Sequence, residues 1–66
     1  MNLKEYKETV KPGTRVYVMY QGVKVLGTAG NLLGADGEEP IIKFDNGVMG
    51  RVTKASVERV QIELPN

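Results

Sequence analysis

Glycine placement constrains this chain more than any other feature. From Val23 to Ala35 the sequence is apolar enough for a helix, but Gly27, Gly30 and Gly34 interrupt it. A helix there would carry all three, at about 1 kcal/mol each relative to alanine. Glycine instead permits the kinks by which a strand turns a corner. The stretch therefore reads as one strongly bent strand. Leu32 and Leu33 continue it towards a loop at Gly34-Ala35-Asp36-Gly37.

The segments on either side alternate as strands do. In Arg15–Gln21, Val16 and Val18 face a core while Arg15, Tyr17 and Met19 face away. Tyr20 shares the core parity at the end of that strand, and Gly22 marks a turn or bulge. Pro40 restarts the chain, and Ile41–Asp45 offers Ile42 and Phe44 as a core pair. Asn46-Gly47 is the strongest short-range signal for a type I′ hairpin, because both residues tolerate positive φ. Val48–Thr53 returns from it, with Val48, Gly50 and Val52 on one face and Met49, Arg51 and Thr53 on the other. Lys54–Val57 suits a single 3₁₀ turn, which Ser56 would cap. Arg59–Leu64 closes the set, with Val60, Ile62 and Leu64 inward, and Pro65 ends it.

Ahead of the strands, residues 2–10 carry Leu3, Tyr6 and Val10 at helical spacing. Pro12-Gly13 then suits a type II turn. The expected organisation is an N-terminal helical arm over 1–11 and an all-β body over 12–66.

At 66 residues the chain is one small domain, burying only about 60% of the surface its unfolded chain exposes. A deep private pocket is not expected at this size. The chain has no cysteine and no histidine, which removes disulfides, common zinc sites and the usual neutral-pH base. Ser56, the one serine, has no histidine to activate it. The acids Asp36, Glu38 and Glu39 lack the spacing of a calcium loop. The glycines lack the spacing of a phosphate loop. The expectation is therefore a non-catalytic protein without cofactor or metal. No apolar run approaches the roughly 20 residues of a membrane helix, and Met1–Glu8 lacks an apolar signal core. A soluble, cytoplasmic protein with no membrane partner is expected.

Two stretches carry a family resemblance. Pro12-Gly13-Thr14-Arg15-Val16-Tyr17-Val18, followed by Gly22, Gly27 and Gly30, is similar to the KOW pattern of a valine-rich strand leading into spaced glycines. Ile42-Lys43-Phe44-Asp45-Asn46-Gly47, then Gly50-Arg51-Val52 and Val57-Glu58-Arg59-Val60, resembles the last hairpin, 3₁₀ turn and closing strand of Tudor-type modules. Together they imply a five-stranded SH3-like barrel over roughly 12–62. With only three tyrosines and one phenylalanine, the aromatic cage of methyl-reading Tudor domains is not implied. Val60-Gln61-Ile62 is also similar to a short motif of the type II dihydrofolate reductases, tetrameric barrels with one shared site. There a tyrosine follows the motif; here Glu63 does.

Net charge is +1, but no acid occurs from Lys11 through Ala35. By strand parity Arg15, Tyr17, Lys43 and Arg51 face outward, and with Lys24 they form a candidate nucleic-acid-binding face, with cations for phosphates and one stacking tyrosine. The expected partner is nucleic acid or a nucleoprotein complex. The alternative is a protein–protein adaptor or inhibitor, or a homodimer, acting through Tyr17, Met19, Tyr20 and Met49 or a strand edge. A competing use of the outward apolar residues Tyr17, Met19, Ile41 and Met49 is that the N-terminal arm covers them.

Overall fold

The computed structural model describes residues 1–33 and 39–64. The loop at 34–37, the acid Glu38 and Pro65 lie outside the described residues. Helix α1 spans Leu3–Thr9. Asn2 caps it, accepting the Glu5 N–H on Oδ1 at 2.8 Å, which satisfies one of the free donors of the first turn. Seven residues are too few for an isolated helix in water. Packing holds it: Tyr6 and Val10 are buried and Leu3 packs beside them.

The Pro12-Gly13 turn follows as expected. Gly13 has φ +95°, and the Thr14 N–H donates to the Lys11 carbonyl at 3.0 Å. Five antiparallel strands come next: β1 Arg15–Tyr20, β2 Val23–Leu33, β3 Glu39–Phe44, β4 Met49–Arg51 and β5 Val60–Ile62. A 3₁₀ turn at Val57–Arg59 precedes β5. The sheet order is β4-β3-β2-β1-β5. The all-β reading therefore holds. The sheet is not closed, since β4 pairs with β3, β5 with β1, and no ladder joins β4 to β5.

The two hairpins divide the turn chemistry differently from the sequence reading. Tyr20 pairs with Val23, and the two residues between them, Gln21 and Gly22, have φ +50° and +79°. That two-residue loop with both centres at positive φ is the type I′ arrangement. At Asn46-Gly47 only Gly47 is left-handed, at +91°. The Gly47 N–H donates to Phe44 O, and the Phe44 N–H to Val48 O. The loop thus has three residues, a tight turn ending in a left-handed glycine. Asn46 contributes its side chain instead, accepting the Val48 N–H at 3.0 Å.

Strand β2 runs unbroken through Gly27 and Gly30. Its pairing with β3 shifts between Ala29 and Leu32. A Cβ at Gly27 would lie 2.7 Å from Ile42 Cγ2 and 3.0 Å from Phe44 Cδ1. Glycine there lets β3 side chains cross the β2 backbone closely.

The core comprises Tyr6, Val10, Val16, Ala29, Ile42, Val52, Val57 and Val60, with Val18, Phe44 and Ile62 packed against it. Helix α1 thus belongs to the same core as the strands. It does not cover Met19 or Met49, which are 54% and 59% exposed. Val48 and Leu64, expected inward, are exposed because each lies just beyond the paired part of its strand. The 3₁₀ turn begins at Val57, three residues later than expected. Ser56 does not cap it with its side chain. Its Oγ accepts the Thr53 N–H at 2.9 Å and so ties the preceding turn.

Candidate functional site

Strand register gives the sheet two chemically different faces. Cross-strand partners point to the same side, and Met49, Lys43, Thr28 and Arg15 form one such row across β4, β3, β2 and β1. Tyr17 and Arg51 share this side by alternation, as does Lys24 through its partner Met19. All five residues expected to contact nucleic acid therefore lie on one outer face.

That face carries its own counter-charges. Arg15 grips Asp45 bidentately, Nη1 donating to Oδ1 at 2.8 Å and Nη2 to Oδ2 at 2.6 Å. Nη1 also donates to Thr28 Oγ1 at 2.9 Å. The hydrogen bond and the charge of Arg15 hold the Asp45 carboxyl below the usual carboxylate range, and Asp45 in turn raises Arg15. Lys24 places Nζ 4.4 Å from the Tyr17 ring centroid and reaches Glu63 Oε2 at 2.8 Å. Its side chain thereby crosses β1, laid over the tyrosine meant for stacking. Lys43 is exposed beside Thr28 and Met49. Arg51 is exposed opposite Ile41.

The other face is concave and holds a pocket of about 190 Å³. Val18, Ile42, Phe44, Val52 and Val60 form its apolar wall. Tyr20, Ser56 and Arg59 stand at its rim, and Met19 and Arg51, whose side chains belong to the outer face by alternation, border it. It lies where the sheet fails to close, between the end of β1 and the chain running from β4 into β5. Tyr20 is 65% exposed at this rim, and Val23, its partner across the hairpin, is 60% exposed.

The residues expected to bind protein divide between the faces. Tyr20 shares the pocket face and Met19 borders the pocket from the outer face, whereas Tyr17 lies under Lys24 and Met49 sits in the Lys43 row. Sequence reasoning did not select Phe44, Ser56 or Arg59 for this site. Alternation assigns Phe44 to the core, and it does pack there, but its ring also reaches the open end. Arg59 sits on a 3₁₀ turn, where two-residue alternation does not apply.

No group of three or more acidic, cysteine or histidine residues among the described residues is placed to hold a metal ion. Among them no helix is long and apolar enough to cross a membrane. No family model matches the chain, and no curated protein or solved structure shows a significant match to it.

Proposed function

We propose that this chain is a small binding module that docks an apolar side chain of a protein partner into the pocket at the open end of its sheet. We read the sheet as an SH3-like barrel in an open form. A four-strand meander, a 3₁₀ turn and a fifth strand returned beside the first support that reading.

The observation that carries the functional proposal is the pocket itself. It is too small for the roughly 300–1,000 Å³ sites that hold cofactors and drug-sized ligands. At about 190 Å³ it compares with an apolar cavity of about 150 Å³ that accepts benzene. One phenylalanine or leucine side chain fits that space. Among the described residues the lining offers no carboxylate or imidazole to act as a base. A cytoplasmic location would suit such a module.

Burying one such side chain contributes about 1.5–3 kcal/mol, so a short peptide binds no tighter than the millimolar range. NMR titration is the suitable assay. The neutral peptide acetyl-Gly-Gln-Phe-Gln-Gly-amide should shift the resonances of Val18, Tyr20, Phe44 and Val60, and Tyr20→Ala should weaken the effect. No shift at ten millimolar peptide would overturn the proposal.

A second reading, nucleic-acid contact, has one observation in its favour: Arg15, Tyr17, Lys24, Lys43 and Arg51 share the outer face. It requires phosphates to displace Asp45 from Arg15 and Glu63 from Lys24. Salt-sensitive binding of short DNA or RNA, with shifts centred on Lys43 and Thr28, would favour it.

A further inference from the structure

We infer that the partner presents its apolar anchor from an extended strand, whose main chain hydrogen-bonds to the unpaired end of β1 beside the pocket. This inference rests on the docking proposal and adds the backbone chemistry of the occupant.

Alternate residues of an antiparallel strand turn their N–H and C=O groups to opposite neighbours. The Glu63 N–H donates to Arg15 O at 3.0 Å, so Arg15, Tyr17 and Met19 address the β5 side. On the other edge the Ala29 N–H donates to Thr14 O at 2.9 Å, so Val16, Val18 and Tyr20 address β2. The β1–β5 ladder joins Val16 to Ile62, Tyr17 to Gln61 and Val18 to Val60, and stops there. Met19 lies one residue past its end. The residue that would face it, Arg59, belongs to the 3₁₀ turn and donates its N–H to Ser56 O at 3.0 Å. Met19 therefore presents an N–H and a C=O with no strand partner among the described residues on that side. Its main chain borders the pocket although its side chain lies on the outer face.

The opposite border has the same character. The Phe44 N–H donates to Val48 O and the Val52 N–H to Pro40 O, both at 2.8 Å. Val48, Gly50 and Val52 thus address β3, and Met49 turns its main chain to the outer edge of β4. Gly50, next to it, lines the pocket. The pocket lies between two strand edges, β1 at Met19 and β4 at Met49.

Edge groups of this kind are a template for an added strand. A helical occupant has its main chain bonded internally and leaves them unanswered. An extended occupant continues the line of β5 past Val60. Its residue facing Met19 sends a side chain to the outer face, and its residue facing Tyr20 sends one inward to the pocket. The anchor and the hydrogen-bonding residue are therefore neighbours in sequence. One net hydrogen bond contributes about two- to twelvefold in affinity, and the two at Met19 at least about fivefold.

The test compares two peptides on the intact chain by NMR: acetyl-Gly-Gln-Phe-Gln-Gly-amide and its analogue N-methylated at both glutamines. N-methylation removes the main-chain donors beside the anchor and leaves the phenylalanine side chain intact. The parent peptide should shift Val18, Phe44 and Val60 and move the Met19 amide proton downfield. The Tyr17 amide, already within the β1–β5 ladder, should stay in place. The analogue should bind at least about fivefold more weakly and leave the Met19 amide unmoved. Equal binding of the two peptides overturns this inference and leaves the docking proposal standing. Pocket shifts from the parent peptide with a stationary Met19 amide do the same. Binding of neither peptide overturns both.

Discussion

The hydroxyl of Tyr6 is buried without a hydrogen-bond partner, and removing it should stabilise the protein. Tyr6 is 1% exposed and sits in the core with Val10, Val16 and Val57. A buried polar group left unpaired costs about 1–3 kcal/mol. Tyr6→Phe relieves that cost and leaves only the volume of one oxygen, roughly 10 Å³. At about 24 cal/mol per Å³ of cavity, that void costs about 0.2 kcal/mol. The net expectation is a gain of about 1–2 kcal/mol, hence a rise in Tm of about 4–15 °C for a domain of this size. Urea denaturation followed by circular dichroism measures it, with the m-value unchanged. Alkaline pH gives an independent readout. Burial raises the Tyr6 pKa above its ordinary value of 10.0. The folded state therefore favours the protonated phenol, and the associated stability is fully present below about pH 10 and lost as pH rises through the folded pKa. The gap in stability between Tyr6→Phe and the parent should widen above pH 10, although lysines titrate in both. Tyr6→Ala, by contrast, removes the ring and should cost about 3–5 kcal/mol, a large part of the roughly 3–10 kcal/mol such a domain has. A Tyr6→Phe variant less stable than the parent by 1 kcal/mol or more would refute the reasoning and mean that the hydroxyl is satisfied in solution.

Three further outcomes follow from the turns, the close crossing at Gly27 and the ion pair. Gln21 is the one non-glycine residue at positive φ among those described, so Gln21→Asn or Gln21→Gly should raise the urea midpoint, by about 0.5–1 kcal/mol of stability. Gly27→Val should destabilise by about 1–3 kcal/mol, because its Cβ would meet Ile42 and Phe44; an unchanged thermal midpoint would contradict the close crossing. Arg15 lowers the Asp45 pKa, so the pair's contribution is present above the unfolded value of about 3.9 and lost as pH falls through the folded one. Asp45→Asn should therefore be less stable than the parent at pH 7, with the difference shrinking below about pH 4 in acid titration.

Much of this fold was legible because it rests on local chemistry. Alternation in Arg15–Tyr20 and Ile41–Phe44 named Val16, Val18, Ile42 and Phe44 as inward residues, and all four join the core or pack on it. Pro12-Gly13 specified its turn through fixed proline φ and left-handed glycine. The hairpin types were not legible. Asn46-Gly47 is the better local candidate for a type I′ turn, yet Gln21-Gly22 adopts it. The pairing of β1 with β2, from Arg15–Thr28 to Tyr20–Val23, leaves two residues for that loop. The β3–β4 register leaves three for the other. Register is set by many pairs at once and outweighs the preference of one dipeptide.

The candidate site follows the same division. Residue type and spacing alone establish an all-β chain, a basic outer face and the absence of histidine and cysteine chemistry, because these depend on composition and on a two-residue period. Charge neutralisation by Asp45 and Glu63 depends on contacts 30 and 39 residues away in sequence, which no local pattern records. Docking of α1 into the core depends on burial of Tyr6 and Val10, since seven residues have no helical stability of their own. The pocket depends on where the sheet stops. Three-residue strands at β4 and β5 leave its edges unjoined, and the gap between them leaves Val18 and Phe44 only partly buried.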